Sequence, residues 1–341
     1  MKISIIGAGG WGTAIACMAG QRQPAVTLWA RNELMARELA GARENLRYLP
    51  GVRLPESVAV TADMAATVQG ADMVIIATPS HAVRETAARL AGVIGPECIV
   101  VSAAKGLEVG SLKRMSEVIA EEIPFVADTV VAISGPNHAE EVGRRQPSAA
   151  VAASCSRYAA ETVQEALMLP YFRVYTNPDI IGVELGGALK NIIALGAGIA
   201  DGLGFGDNAK AAFMTRGLAE IARLGVAMLA KPSTFAGLSG VGDLIATCTS
   251  RHSRNRRAGA LLAEGKCLRE VESANGMVVE GIRSALAAHE LAGRHNVEMP
   301  ITEQIYRVLY QATSPKEAVT ELLSRGRTHE VEEVADIIHW R

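Results

Sequence analysis

The sequence has few aromatic residues and no excess of charge of either sign. Phe, Trp and Tyr make up 4% of its 341 residues, which argues against a base-stacking platform for nucleic acid. Lysines and arginines number 34 against 36 aspartates and glutamates. The resulting net charge of −2 argues against general nucleic-acid binding and against a polybasic membrane anchor. We therefore expect no nucleic-acid partner.

Cysteines and histidines are too dispersed to form a disulfide framework or a metal site. The five cysteines include no C-x-x-C pair, which fits a reducing cytosol and predicts a cytoplasmic location. The seven histidines are scattered, and the H-E-x-x-H pattern of zinc proteases is missing. We therefore expect no metal.

Two further catalytic patterns are also missing. The pair Gly265-Lys266 lacks the earlier glycine of a P-loop and is followed by Cys267. The segment 237–241 has Val241 where the G-x-S-x-G pattern of serine hydrolases needs a glycine. The sequence thus offers neither a P-loop nor a serine-hydrolase elbow.

One apolar segment, residues 180–200, is the best candidate for a membrane span. Glu184, Lys190 and Asn191 lie near its centre, and lipid tolerates such residues poorly. We interpret the segment as a buried helix of a soluble protein and expect no membrane span.

The length suggests two domains, and the sequence pattern changes after Asn177-Pro178. Before that point, short runs rich in Val and Ile alternate with helix-like stretches such as 81–94 and 111–123, which is typical of a doubly wound parallel sheet. Beyond it we find helices and glycine loops without a convincing strand. We predict an α/β dinucleotide-binding domain over 1–178 and an all-helical substrate-binding and catalytic domain over 179–341. The runs expected to be strands are 3–6, 26–30, 58–62, 73–78, 98–103, 130–134 and, more weakly, 149–154 and 173–176.

The glycines near the start form a G-x-G-x-x-G pattern between an apolar strand and a helix. In this context Gly7 allows a tight turn, Gly9 lets the backbone approach a pyrophosphate, and Gly12 lets helix and strand pack closely. The start of the helix offers free N–H groups to the phosphates. The pattern predicts a dinucleotide site, with a purely structural turn as the alternative.

Arg31 lies near the position where NAD-binding proteins place an acidic residue for the ribose hydroxyls. An arginine there can accept a 2′-phosphate or stack on adenine. We expect NADP(H) to be accepted, with NAD(H) open as a second coenzyme. A plain surface arginine is the alternative.

Lys190 is unusual because the other side chains of 184–200 are mostly small or apolar. Burial in such a helix lowers the pKa of a lysine towards the range useful for proton transfer, and nearby cations lower it further. A lysine that extends to solvent is the alternative.

The segment 251–257, RHSRNRR, concentrates four arginines in a chain of nearly balanced charge. Arginine with serine and asparagine is typical of a phosphate site, although a solvated basic turn is the alternative. Asp243 lies close by in the sequence. Buried among these arginines, it would stay ionised and could orient a lysine or a substrate hydroxyl. Together with the dinucleotide site and Lys190, this indicates hydride transfer to a small phosphorylated ketone.

Nearly end to end, the chain resembles the bacterial NAD(P)-dependent glycerol-3-phosphate dehydrogenases. The resemblance implies a Rossmann-type amino-terminal domain, an all-helical carboxyl-terminal domain, and a site between them. It also implies reversible reduction of dihydroxyacetone phosphate to sn-glycerol 3-phosphate by NAD(P)H, for glycerophospholipid synthesis in the cytoplasm, and leaves a homodimer open. The segments that carry it are 7–16, 103–108, 133–142, 177–212, 215–225, 240–257 and 278–281.

The resemblance also assigns roles to individual positions. It implies that Lys190 donates and accepts the proton. The substrate contacts it implies are Lys105, Gly135, Asn137, Asp243, Ser253, Arg254 and Asn255, with Asn191 and Thr247 as neighbours of the site. The cofactor contacts it implies, beside Gly7, Gly9 and Gly12, are Gly10, Trp11, Arg31, Lys105, Ala139, Arg254, Val278 and Glu280.

Two positions depart from the family pattern, and two other functions remain open. Gly10 stands where the family usually has serine, which removes a hydroxyl from the pyrophosphate site. Asn137 stands where serine or threonine is usual and still offers a donor and an acceptor.

The alternatives are a 6-phosphogluconate-dehydrogenase-like enzyme for another small oxo- or hydroxy-acid, and an inactive dinucleotide sensor. The arginine-rich segment disfavours the first, and Lys190 disfavours the second.

Overall fold

The computed structural model describes residues 1–276 and 278–327. The strands in this part of the chain are β1 (Lys2–Ile6), β2 (Ala25–Trp29), β3 (Glu44–Asn45), β4 (Leu49–Arg53), β5 (Val58–Thr61), β6 (Met73–Ile76), β7 (Ile99–Ser102), β8 (Val131–Ser134), β9 (Ser148–Ala153) and β10 (Phe172–Asn177). Eight of them form one sheet, in the order β10-β9-β8-β7-β6-β1-β2-β5. Every run that the sequence predicts to be a strand is a strand of this sheet.

Helices surround the sheet and make up the second half of the described chain. Those before Asn177 are α1 (Gly10–Arg22), α2 (Glu33–Ala42), α3 (Met64–Val68), α4 (Val83–Ala91), α5 (Met115–Glu122), α6 (Ala139–Gly143) and α7 (Arg157–Leu167). Those after it are α8 (Ile180–Gly202), α9 (Asp207–Ala227), α10 (Pro232–Phe235), α11 (Asp243–Thr249), α12 (Arg254–Ala263), α13 (Leu268–Asn275), α14 (Glu280–His295), α15 (Pro300–Tyr310) and α16 (Pro315–Leu323). Short 3-10 turns span Ser80–Ala82 and Pro124–Val126, and a π-helical segment spans Leu238–Gly242.

The central strands are parallel and buried on both faces. Ile5 of β1 lies opposite Leu28 of β2 and Ile75 of β6, and all three are fully buried. Ile5 belongs to the same apolar cluster as Ile15 of α1, whereas Ile6 belongs to the cluster on the other face. Helices cover both faces, which is why these strands are continuous apolar runs.

The prediction of a parallel sheet is wrong at one pair of strands. β9 runs antiparallel to β8, with Ile133 opposite Ala152, and β10 is then parallel to β9. A parallel connection needs a crossover, usually a helix that packs across the sheet. The segment 135–147 contains only the five-residue helix α6, so the chain turns back instead.

Two local features differ from the sequence prediction. The antiparallel pair β3–β4 was not predicted, because its strands are short and half exposed. The predicted helix over 111–123 begins only at Met115. Leu112 has a φ of 63°, and the Glu117 side chain accepts from the backbone N–H of Arg114 and so caps the helix start.

Among the described residues after Asn177 there is no strand, as predicted, and α8 is the core of this helical half. A β-carbon at Gly198 would overlap the backbone carbonyl of Arg256, and one at Gly259 would overlap that of Leu195. Glycine at both positions therefore lets α8 and α12 cross with their backbones in contact.

Within the described residues, α8 is the one helix long and apolar enough to cross a membrane by length and composition. Nearly all of it is buried inside the protein, which supports its interpretation as a core helix.

β10 ends at Asn177, and Asp179 caps α8 by accepting from the N–H of Gly182. The domain division at residue 178 stays a prediction, and residues 328–341 of the second predicted domain lie outside the described part.

Candidate active site

The glycine loop connects β1 to α1 at the carboxyl edge of the sheet. Gly7 has a φ of +118°, and a β-carbon at Gly12 would overlap the carbonyl oxygen of Gly7. Gly9 caps α1 without a side-chain hydrogen bond, and no atom lies within 4 Å of where its β-carbon would be. Space is therefore open beside Gly9 at the start of α1, which suits the close approach of a pyrophosphate.

The residues around the loop fit a dinucleotide as well. The indole Nε1 of Trp11 is buried and has no hydrogen-bond partner in the described chain. A β-carbon at Gly10 would lie 2.8 Å from the carbonyl oxygen of Tyr48 and 3.7 Å from the β-carbon of Ala139. The turn between β3 and β4 thus accounts for the departure at Gly10, since a side chain at Gly10 would push against the backbone of Tyr48. Arg31 is exposed just beyond the end of β2.

A buried cluster around Lys190 joins the two halves of the molecule. The Lys190 Nζ donates to Asp243 Oδ1 and, at 2.7 Å, to Thr247 Oγ1. Asp243 Oδ2 accepts from Lys105 Nζ at 2.9 Å. Lys190 comes from the middle of α8, Asp243 and Thr247 come from one face of α11, and Lys105 comes from the segment after β7. The carboxylate of Asp243 therefore lies between two ammonium groups.

The expectation that arginines surround Asp243 is wrong. Asp243 opens α11, which packs against α8, so its partners are Lys190 and Lys105 rather than the 251–257 segment. The expected consequences nevertheless follow. Burial alone would raise the pKa of the Asp243 carboxyl, but the two lysines outweigh burial and hold this pKa below its usual value. The residue stays ionised and holds a lysine in place.

Lys190 has the lowered pKa that its surroundings in the sequence predicted. Burial is the largest cause and Lys105 adds repulsion, while Asp243 opposes both, and the pKa falls from 10.5 to about 8. An ammonium group in this range can both donate and accept a proton near neutral pH.

The loop after β8 supplies further polar groups to this cluster. Lys105 Nζ donates to the carbonyl of Gly135 and to Asn137 Oδ1, both at 2.8 Å. Gly135 has a φ of +125°, a conformation that favours glycine. The Nδ2 of Asn137 is buried and finds no acceptor within the described residues. An unpaired donor beside Lys105 is suited to an anionic or hydroxylated ligand.

A chain of amides connects the cluster to α14. Asn191 Nδ2 donates to the carbonyl of Lys105 at 3.2 Å, and Asn255 Nδ2 donates to Asn191 Oδ1 at 2.8 Å. Asn255 Oδ1 then accepts from the N–H of Gly281 at 2.9 Å. Both asparagines thus tie the site to its scaffold, and their contact with substrate stays a prediction.

The basic segment 251–257 is partly helical, because residues 254–257 form the first turn of α12. Ser253 caps this helix, since its hydroxyl accepts from the N–H of Arg256. Arg256 pairs with Asp201 at 2.5 Å, and Arg257 is exposed. Arg254 is partly buried and donates to the carbonyl of Val278 at 2.8 Å. The structure therefore separates Arg254, which faces the Val278 segment, from Arg256, which is paired, and Arg257, which is exposed.

The segment after β6 contains polar residues near the glycine loop that no sequence pattern singled out. A β-carbon at Gly7 would lie 3.1 Å from the N of Thr78, whose hydroxyl is buried and lacks a partner in the described residues. Ser80, two residues on, bonds the Glu280 carboxylate. Their position after a strand adjacent to β1 was the available signal, since ligands bind beyond the carboxyl ends of such strands.

The similarity to known proteins agrees with this geometry. Residues 2–160 match the model described as NAD-dependent glycerol-3-phosphate dehydrogenase N-terminus, and residues 179–320 match the corresponding C-terminus. A curated relative from Desulfitobacterium hafniense (strain Y51), named glycerol-3-phosphate dehydrogenase (NAD(P)+), is 57% identical over 334 residues, which are 98% of this chain and 94% of that relative. A similarly named protein from Geobacillus thermodenitrificans (strain NG80-2) is 51% identical over 98% of both chains.

Solved structures of glycerol-3-phosphate dehydrogenases are also similar to this chain. The crystal structure of a glycerol-3-phosphate dehydrogenase from Coxiella burnetii superposes with a TM-score of 0.91 at 39% identity and covers 95% of this chain and 99% of its own. A ketopantoate reductase from Ralstonia eutropha JMP134 reaches a TM-score of 0.61 at 14% identity, which shows a shared fold alone. The predicted fold, a Rossmann-type sheet followed by a helical half, is confirmed.

Proposed function

Since the chain belongs to the family of NAD-dependent glycerol-3-phosphate dehydrogenases, we propose that it interconverts dihydroxyacetone phosphate and sn-glycerol 3-phosphate with Lys190 as the group that gives and takes the proton. Membership makes the chain an NAD(P)-dependent oxidoreductase. The observation that carries the proposal for Lys190 is its burial against Asp243 and Thr247, with a pKa of about 8.

The cofactor supplies the hydride when bound. Gly7, Gly9 and Gly12 and the start of α1 would hold its pyrophosphate, with Trp11 and Ala139 beside it. Arg31, exposed at the end of β2, would face the adenosine ribose, and we propose that it lets NADPH be accepted by pairing with a 2′-phosphate.

The roles at the reacting carbon follow from charge and hydrogen bonding. Reduction of a ketone places a proton on its oxygen, and Lys190 donates that proton as a positioned acid. Asp243 keeps the amine in place and stabilises its charged form, because it remains ionised between two lysines. In the reverse direction neutral Lys190 takes the proton from the hydroxyl of glycerol 3-phosphate.

We assign the phosphate of the substrate to the groups around Arg254. Arg254 lies at the start of α12, where backbone N–H groups and the guanidinium both favour an anion. Ser253, Asn255, Asn137 and Lys105 complete the proposed contacts. The Nδ2 of Asn137 supports this assignment, since it is a buried donor without an acceptor among the described residues.

We also propose that the enzyme is cytoplasmic and supplies glycerol 3-phosphate for glycerophospholipid synthesis. Both statements rest on the resemblance and on the reaction, because glycerol 3-phosphate is the backbone of these lipids. A homodimer stays an untested prediction.

Steady-state assays test the proposal directly. Purified protein should oxidise NADH or NADPH with dihydroxyacetone phosphate and far more slowly with unphosphorylated dihydroxyacetone. Equal rates with both ketones would contradict the phosphate site, and absence of any turnover would favour a dinucleotide sensor. Separate rates with NADH and NADPH, repeated for Arg31→Asp, test the coenzyme assignment, since that variant should weaken NADPH more than NADH.

A further inference from the structure

Ser80 and Glu280, which are 200 residues apart, are joined by two hydrogen bonds. The backbone N–H of Ser80 donates to Glu280 Oε1 at 3.0 Å, and its hydroxyl donates to Oε2 at 2.6 Å. Ser80 is buried and belongs to the sheet half of the molecule, while Glu280 is the first residue of α14 in the helical half. We call this pair of bonds the Ser80–Glu280 clasp.

The clasp lies at the point of the sheet where a dinucleotide is expected. The strand order reverses between β1 and β6, and ligands of doubly wound sheets bind in the crevice at that point. Ser80 follows β6 and starts the 3-10 turn that leads into α4, so a carboxylate there is also favoured by the helix dipole. A β-carbon on Gly106, the neighbour of Lys105, would lie 2.6 Å from the β-carbon of Ser80 and 2.9 Å from Glu280 Oε2. Glycine at this position therefore makes room for the clasp.

On its other side, the clasp is connected to the proposed substrate and cofactor groups. The N–H of Gly281 donates to Asn255 Oδ1, and the carbonyl of Val278 accepts from Arg254. The negative charge of Glu280 also acts on Arg254. The start of α14 is thus bound to the sheet half through Glu280. It is bound to α12 through Val278 and Gly281.

We propose that Ser80 is a positioning residue for cofactor binding. It holds the Glu280 carboxylate against the sheet half and thereby sets where Arg254 and the start of α14 lie relative to the bound coenzyme. This inference rests on the proposed function, because it assumes that Arg254 and Glu280 line the cofactor site.

A second clasp elsewhere in the molecule offers a matched control. Ser116 donates its N–H to Glu184 Oε1 at 2.8 Å and its hydroxyl to Glu184 Oε2 at 2.6 Å, and it too joins the sheet half to the helical half. Ser116 and Glu184 are buried and have no part in the proposed cofactor site. Replacement of either serine by alanine removes one hydroxyl-to-carboxylate bond, and at Ser116 it also removes the bond that the hydroxyl accepts from Arg114 Nη1.

The test compares Ser80→Ala with Ser116→Ala in steady-state kinetics and thermal unfolding. A hydrogen bond to a charged group is strong enough that its loss changes an equilibrium by about tenfold. We expect Ser80→Ala to raise the KM for NADPH about tenfold, with kcat and the KM for dihydroxyacetone phosphate changed less than about threefold. Ser116→Ala should lower Tm and leave all three kinetic constants near those of the wild type.

A double-mutant cycle with Glu280→Gln completes the experiment. If Ser80 acts through Glu280, Ser80→Ala adds little to the effect of Glu280→Gln on kcat/KM for NADPH. Additive effects, or an unchanged KM for NADPH in Ser80→Ala, would overturn the inference. Should Ser80→Ala fail to fold, Ser80→Cys takes its place, because a thiol donates to the carboxylate more weakly than a hydroxyl, and an unchanged KM for NADPH in that variant overturns the inference. A wild-type enzyme without turnover would instead contradict the proposed function.

Discussion

Helix α8 carries two buried charged residues, Glu184 and Lys190, and their surroundings differ in one respect. Arg114 Nη1 donates to Glu184 at 2.7 Å, and Ser116 donates to both carboxylate oxygens. Arg114 also pairs with the more exposed Glu117 at 2.9 Å, so the cation at this cluster is fully used and hydrogen bonds surround the Glu184 carboxylate. Burial raises the pKa of Glu184 against the opposing effects of Arg114 and Ser116.

At Lys190 cations outnumber carboxylates. Two ammonium groups, Lys190 and Lys105, share the single carboxylate of Asp243, and the Nδ2 of Asn137 lacks an acceptor within the described chain. An anionic substrate can complete this cluster, whereas nothing needs to be added at Glu184. The comparison teaches that burial and pairing alone do not identify a catalytic ion pair, but an excess of one charge beside an open donor does.

The substitution with the largest expected effect on this difference between the two clusters is at Lys190. Lys190→Ala should lower kcat by about two to four orders of magnitude, the usual contribution of a positioned acid. NADPH binding, followed by fluorescence, should stay near the wild-type value. A near-normal kcat would indicate that Lys105 or a water molecule, and not Lys190, donates the proton.

Removal of the charge at Glu184 should produce the opposite pattern. Glu184→Gln leaves the Arg114 guanidinium without its buried partner, and the loss of a buried pair costs about 3–5 kcal/mol. We expect that loss in the free energy of unfolding by urea, with kcat of the folded enzyme retained. If kcat fell by orders of magnitude while stability held, the distinction between the two clusters would be wrong.

Substitution of Arg254 tests whether the cluster at Lys190 receives an anion. Arg254→Ala removes a charge-assisted bond worth about 1.5–3 kcal/mol, so kcat/KM for dihydroxyacetone phosphate should fall about ten- to a hundredfold. Arg257→Ala is the control and should have little effect, because Arg257 is exposed on the same helix. A sensitive Arg257 and a silent Arg254 would place the phosphate one turn further along α12.

The smallest expected effect is the pH dependence of turnover. Ketone reduction requires protonated Lys190, whose pKa is about 8, so the reduction rate should fall as the pH rises through 8. Oxidation of glycerol 3-phosphate requires the neutral amine and should rise over the same range. The profile of Glu184→Gln should match that of the wild type, and a shift of the midpoint in this variant would indicate that the two clusters are coupled.

Much of this molecule was predictable because the signals are local. The central strands β1, β6, β7 and β8 are continuous apolar runs, and strands buried on both faces produce that pattern. Gly7, with its positive φ, and Gly12, whose β-carbon would overlap the Gly7 carbonyl, mark a turn that few other residues permit. For Lys190 the sequence left burial and extension to solvent open, and the packing around α8 decided for burial, which lowers the pKa of this lysine.

The sequence alone therefore determined the strands of the sheet and the glycine loop, each through the preferences of neighbouring residues. The tertiary structure decided the antiparallel direction of β9, the lysine partners of Asp243, and the Ser80–Glu280 clasp. Each of these depends on which distant segments pack together. A carboxylate pairs with whichever cation the packing brings within hydrogen-bond distance, and separation along the chain does not encode that distance.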